Sequence, residues 1–216
     1  MNRELFVYIN DKYEGVLFNN EAGGLSFLYD KSAEFSLSLS LPKKNEMYKN
    51  EECHGFFNGL LQENNEVRKL IGAKYGINPN NDFSVLKAIG YDCPGAVSFL
   101  AKNNNSELKE YYEMRGKLVS DKDLEKFINE LPQKPLGIGA NNLRLSLAGV
   151  QTKTAVLLID GRINLPMSFT PTSHILKPAI REFKETVENE YICMKTAEKL
   201  GLNTAKVESK SAGDMK

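Results

Sequence analysis

Apolar residues recur along this chain with two different periods, and the change between them divides it. Leu5-Phe6-Val7-Tyr8-Ile9 and Gly15-Val16-Leu17-Phe18 are β-type runs on either side of Asn10-Asp11, a pair suited to a hairpin turn. Phe35, Leu37, Leu39 and Leu41 alternate with Ser36, Ser38 and Ser40, which predicts a strand with one buried and one polar face, ended by Pro42. From residue 54 to residue 90 the spacing turns helical: Phe57, Leu60 and Leu61, then Val67, Leu70 and Ile71, fall on one side. Asn81-Asp82 offers a cap for a short helix through Ile89. Gly95 to Leu100 returns to strand character, and Asn103-Asn104-Asn105 reads as a turn or linker. These segments place a first α+β unit at residues 1–105.

Residues 106–135 read as a helical connector. Ser120 caps a helix with Leu124, Phe127, Ile128 and Leu131 on one face, and Pro132 and Pro135 force an extended exit. In the second unit, 136–216, two β-type runs flank the small-residue turn Ala148-Gly149 within Leu143 to Leu158. A second turn follows at Asp160-Gly161. Ser173-His174-Ile175-Leu176-Lys177-Pro178 then ends an apolar run on a lysine. A helix from about Lys184 to Leu200 stops at Gly201, a C′ position, and Val207 is expected in a last strand. Strand, turn, strand, lysine strand and acid-bearing helix, in that order, is how the small lobe of a kinase presents ATP.

Charge and composition narrow the field. Lys plus Arg and Asp plus Glu both number 28, so net charge implies no polyanionic partner. Cys53, Cys93 and Cys193 are odd in number, far apart and without a CxxC pair. That argues against a disulfide framework or structural zinc and fits a reducing compartment. Only His54 and His174 are available, which disfavours a histidine-rich metal centre. Met1 to Leu5 leads quickly into charged residues, and no apolar run reaches the roughly 20 residues of a membrane span. The expectation is a soluble cytoplasmic protein.

An ATP phosphate tail needs closely approaching backbone N–H groups, a cation and usually a metal. Gly149 permits close approach, Thr152 and Thr154 offer hydroxyls, and Lys153 offers charge beside the same turn. The pattern is neither a Walker A loop nor the GxGxxG of common protein kinases; Leu136-Gly137-Ile138-Gly139-Ala140 lacks the third glycine. Lys177 sits either in a buried strand, where it needs an anion, or at the strand's exposed end before Pro178. Glu190, one turn before Met194, is the selected helix acid, with Glu188, Glu185 and Glu182 left as solvated charges. Ser146 is a candidate phosphoacceptor, since phosphate there would repel a nucleotide and reorganise the loop, or else a polar residue on an exposed strand face. His174 reads as a structural neighbour of the lysine strand, and His54 as a capping or surface residue.

The chain resembles the HipA family of bacterial toxin kinases of the type II toxin–antitoxin class, associated with persistence. The segments that carry the likeness are Phe56 to Leu61, Ile89 to Val97, Arg144 to Thr154, Pro171 to Lys177 and Glu188 to Tyr191, in the family's order. The resemblance implies an α+β fold: a HipA-type β-rich N-terminal subdomain with helices, then a partial kinase-like small lobe, the C-terminal large lobe being absent. On that likeness Ala148, Gly149, Val150, Gln151, Thr152, Lys153 and Thr154 match the phosphate-binding loop. Lys177 matches the ATP-binding lysine, Glu190 the helix acid, and Ser146 the inhibitory autophosphorylation serine. The family transfers the γ-phosphate of ATP, with Mg²⁺, to protein serine or threonine. Aminoacyl-tRNA synthetases are the known target type, and a DNA-binding HipB antitoxin is the usual partner, so DNA is reached only indirectly. The family's catalytic and metal-binding aspartates lie in the large lobe, so no catalytic residue and no Mg²⁺ ligand is expected within 1–216. Three readings follow: the N-terminal half of a kinase that transfers no phosphate by itself, a non-enzymatic module that binds an antitoxin or a companion kinase chain, or a protein that binds nucleotide without transferring phosphate.

Overall fold

The computed structural model describes residues 3–20, 23–103, 116–131, 146–149, 151–167, 170–180 and 182–211. In the N-terminal unit, β1 (Glu4–Ile9), β2 (Lys12–Asn19), β3 (Leu25–Tyr29) and β4 (Val97–Leu100) form an antiparallel sheet in the order β3-β2-β1-β4. Asn10, with φ of 56°, turns β1 into β2, as the Asn-Asp pair predicts. The register shifts between Val7 and Tyr8, opposite Gly15. A Cβ at Gly15 would stand 2.2 Å from the Leu28 carbonyl oxygen, so no larger residue fits where β2 meets β3.

The predicted helical region resolves into α1 (Asn50–Gly59), α2 (Asn65–Tyr75) and α3 (Asp82–Ile89). Their apolar faces close over one side of the sheet, where Phe57 meets Phe27 at 5.6 Å and Phe99 at 5.9 Å between ring centroids. Asn81 caps α3 by accepting the Ser84 N–H. Its neighbour Asp82 instead joins the three helices, pairing with Arg68 of α2 and accepting from Asn58 of α1 at 2.9 Å. His54 lies half-exposed beside the same carboxylate, at 3.1 Å.

The alternating segment 35–41 is not a strand. Leu37 and Leu41 are buried, whereas Phe35 and Leu39 are exposed, so the inward spacing is four residues rather than two. Two hydrogen-bonding systems outcompete a ladder here. The Tyr29 hydroxyl accepts the Leu37 N–H at 2.7 Å and donates to the Leu41 carbonyl. Ser36 and Ser38 accept from the nearby backbone of Lys43 and Ser40, each at 3.1 Å.

The second unit contains β5 (Gly116–Leu118), β6 (Thr154–Ile159), β7 (Arg162–Pro166) and β8 (His174–Leu176), antiparallel in the order β5-β7-β6-β8. Asp160 (φ 51°) and Gly161 (φ 71°) turn β6 into β7. Helix α4 (Asp121–Glu130), capped by Ser120, packs Leu124 and Ile128 on Val156 and Ile163. Thus β5 and α4, within the stretch read as connector, pair with and pack on this second sheet. Helix α5 (Thr186–Lys199) ends as its glycine predicts: the Gly201 N–H donates to Glu198 O and the Leu202 N–H to Ala197 O.

Three expectations need correction. Ser146 and Leu147 are not a strand paired with β6, because their polar groups are taken by the N-terminal unit. β8 is not buried: it is an edge strand whose Ile175 is exposed. Residues 202–211, including Val207, form no strand.

Replacing Tyr29 by Phe leaves the buried Leu37 N–H without its acceptor. It should lower unfolding stability by about 1–3 kcal/mol in urea titration; an unchanged midpoint would show that the serine-rich segment needs no such tether.

Candidate nucleotide-phosphate site

The turn at Ala148-Gly149 is built from its entering limb. The Ser146 N–H donates to the Asp92 carbonyl at 2.9 Å, and the Ser146 hydroxyl donates to the Leu60 carbonyl at 2.6 Å. The Gln62 amide donates to the Leu147 carbonyl. Ser146 is fully buried by these contacts, not placed on an exposed face, so its hydroxyl meets no solvent while the limb stays docked. Gly149 follows at φ +96°, a left-handed conformation that favours glycine.

Beyond Val150, which lies outside the described residues, the chain runs back toward β6. The Gln151 amide reaches the Pro178 carbonyl at 3.5 Å. Lys153 is buried, and its Nζ donates to Ala148 O at 3.1 Å across the base of the turn. A Cβ at Gly149 would stand 3.0 Å from that ammonium. Burial holds the Lys153 pKa below the ordinary lysine value, the Lys177 charge adds to the depression, and Glu63 and Glu190 oppose it.

Lys177 follows β8 at its half-exposed end and pairs with Glu190 of α5. Each side chain is more than a third exposed, so the pair contributes little to folding, on the order of 0–1 kcal/mol. What it does is fix the position of an ammonium. Lys153, Lys177 and Glu190 thereby share one electrostatic neighbourhood beside Gly149. Thr154 does not join them. Its register partner Leu176 packs on the α4 core, and its buried hydroxyl has no hydrogen-bond partner. Thr152 is half-buried within the loop. His174 is exposed at the start of β8, with Nδ1 2.8 Å from the Ser173 hydroxyl.

Three residues near this site escape a sequence reading. Glu63 acts on Lys153 from the loop after α1, and Gln62 holds Leu147. Asp92 also accepts from Thr172 through its carboxylate: Oδ2 receives the N–H at 3.2 Å and the hydroxyl at 2.7 Å. Asp92 does fall within Ile89 to Val97, one of the segments that carry the family likeness. A cleft of about 390 Å³ opens beside Asp92 and Thr172, between the Cys93–Ala96 turn and β8. Among the described residues no helix is long and apolar enough to cross a membrane.

The arrangement offers two ammonium groups and a glycine turn to an anion, which fits the donor set of a phosphate-binding loop. A model of the HipA N-terminal domain matches residues 5–100, and one of the HipA-like C-terminal domain matches residues 145–216. "Putative kinase Y4mE" of Sinorhizobium fredii is 37% identical over 217 residues, covering 97% of this chain and 51% of that protein. The serine/threonine-protein kinase toxin HipA of Shewanella oneidensis is 29% identical over 153 residues, covering 71% of this chain and 34% of the toxin. The solved complex of HipA, HipB and operator DNA from Shewanella oneidensis MR-1 contains a chain of the same fold. Its TM-score is 0.75 at 24% identity, covering 98% of this chain and 48% of that one. The chain therefore spans between a third and about a half of the length of these relatives. With both domain models matched in order, and the α+β architecture shared, the chain belongs to the HipA family.

Proposed function

We propose that residues 1–216 grip the phosphate tail of ATP as one half of a HipA-type serine/threonine protein kinase. The observation that carries this reading is the convergence of Gly149, Lys153 and the Lys177–Glu190 pair. Lys177, oriented by Glu190, supplies a fixed positive charge, and the backbone N–H groups from Ala148 to Thr154 supply directional donors. Lys153 exchanges its Ala148 carbonyl for a phosphate oxygen, which replaces a neutral acceptor of a buried ammonium with a charged one. ATP, when bound, supplies the phosphoryl group. Mg²⁺ accompanies it, with ligands expected outside these residues.

Ser146 belongs to the same proposal as the autophosphorylation serine. Its buried hydroxyl is bonded to Leu60, so modification requires the limb to leave its dock. A phosphate of nearly two negative charges has no place beside the Leu60 carbonyl, and it would hold the limb out. Phosphoryl transfer itself requires the parts of the relatives' length that these residues do not span, because positioning and charge neutralisation supply most of such catalysis and depend on a general base and metal ligands expected there. The protein substrate, an aminoacyl-tRNA synthetase by family likeness, and action in the cytoplasm belong to the same proposal. A second reading, a binding module for a HipB-like antitoxin or a companion kinase chain, is favoured by the fold shared with a HipA chain solved together with HipB and DNA.

Calorimetric titration should give ATP affinities reduced at least about tenfold by Lys177→Ala and by Lys153→Ala, each change removing a charged hydrogen-bond donor. Affinity unaltered by either substitution would remove the phosphate-site assignment. Residues 1–216 incubated with labelled ATP, Mg²⁺ and a protein substrate should incorporate no label above background; robust incorporation would contradict the half-enzyme reading. Co-expressed with a HipB-like antitoxin, they should co-purify with it through the N-terminal unit, and a monomer that ignores it would remove that partner.

A further inference from the structure

We propose that Asp92 is a positioning residue for the phosphate site, holding the limb that enters the loop and the segment that leads to the lysine strand at one point of the N-terminal unit. Its main-chain oxygen accepts the Ser146 N–H at 2.9 Å. Its carboxylate Oδ2 accepts the Thr172 N–H at 3.2 Å and the Thr172 hydroxyl at 2.7 Å. Ser146 leads into the Gly149 turn, and Thr172 leads into β8 and Lys177. One residue therefore anchors both halves of the site to the N-terminal unit.

The second sheet ties the same segments through a short ladder at its edge. The β6–β8 pairing runs from Thr154–Leu176 to Val156–His174 and is continued by the Ser173 N–H on the Val156 carbonyl and the Leu158 N–H on the Ser173 hydroxyl, each at 3.0 Å, and β8 is an exposed edge strand. On the loop side of that ladder, the Gln151–Pro178 contact is long, at 3.5 Å. The Asp92 bonds are shorter and include a charge-assisted one, the stronger kind. They are also braced. Leu60 and Gln62 bind the next polar groups of the same limb, which stops Ser146 and Leu147 from rotating about the Asp92 contact. Burial pushes the Asp92 carboxyl pKa up while the Thr172 bonds pull it down. The carboxylate thus remains in a costly environment whose hydrogen-bonding return comes from the segment it orients.

This inference rests on the phosphate-site reading for its consequence, but the tie itself is testable without nucleotide. Thr172→Val removes the hydroxyl donor while keeping side-chain volume; Thr172→Ser restores the donor. Hydrogen–deuterium exchange on nucleotide-free residues 1–216 should show the Ser146 amide, which donates to the Asp92 carbonyl, exchanging about tenfold faster in Thr172→Val, from loss of one charged hydrogen bond. The amides of β1 and β2 should keep their wild-type rates. ATP affinity should fall by about three- to tenfold, and Thr172→Ser should recover both readouts. Unchanged loop exchange in Thr172→Val, an equal increase across β1 and β2, or failure of the serine variant to recover would overturn the proposal. So would faster loop exchange with wild-type ATP affinity. If wild-type protein binds no ATP, the phosphate-site reading falls, and the exchange comparison still decides whether Asp92 ties the two segments.

Discussion

The docking of Ser146 and Leu147 onto the N-terminal unit is the constraint on which the rest of the site depends. A glycine-containing turn has little conformational preference of its own, so its direction is set by the segment that enters it. Here the backbone and hydroxyl of Ser146 and the carbonyl of Leu147 are bound by Asp92, Leu60 and Gln62. Those partners follow α1 and α3, whose positions are fixed by the aromatic core around Phe57 and by the Asp82 junction. The chain of cause runs from core packing, through two short loops, to the position of Gly149.

Electrostatics then decides what the turn can hold. Burial disfavours the charge on Lys153, and the neighbouring Lys177 charge adds to that effect. Two acids, Glu63 and Glu190, offset part of it from different units of the protein. On the proposed reading, a phosphate would replace the carbonyl contact of Lys153 with a charged one. Because the Lys177–Glu190 pair is half-exposed, its value lies in orienting the ammonium rather than in stabilising the fold.

Local signals in the sequence translated well. The Asn10 turn, the Asn81 and Ser120 caps, and Gly201 at the end of α5 each depend on backbone geometry within a few residues. The α+β class and the family likeness also follow from ordered local segments. Segment 35–41 was misleading because its pattern has a competing explanation that only the fold reveals, the Tyr29 hydroxyl. β5 is three residues long and joins a sheet whose other strands lie far along the chain. The roles of Gln62, Glu63 and Asp92 were equally hidden, since each depends on a contact between segments remote in sequence. Ser146 shows the same limit: alternation suggested an exposed hydroxyl, and tertiary docking buries it.

The most direct test is a nitrogen-15 NMR titration of residues 1–216 with a non-hydrolysable ATP analogue. The predicted outcome is saturable shifts of the amides from Ala148 to Thr154 and at Lys177, with the β1, β2 and β3 amides unmoved. Saturable shifts centred on the N-terminal sheet, with the Gly149 turn and Lys177 silent, would contradict the assignment of this turn as the place where phosphate is held.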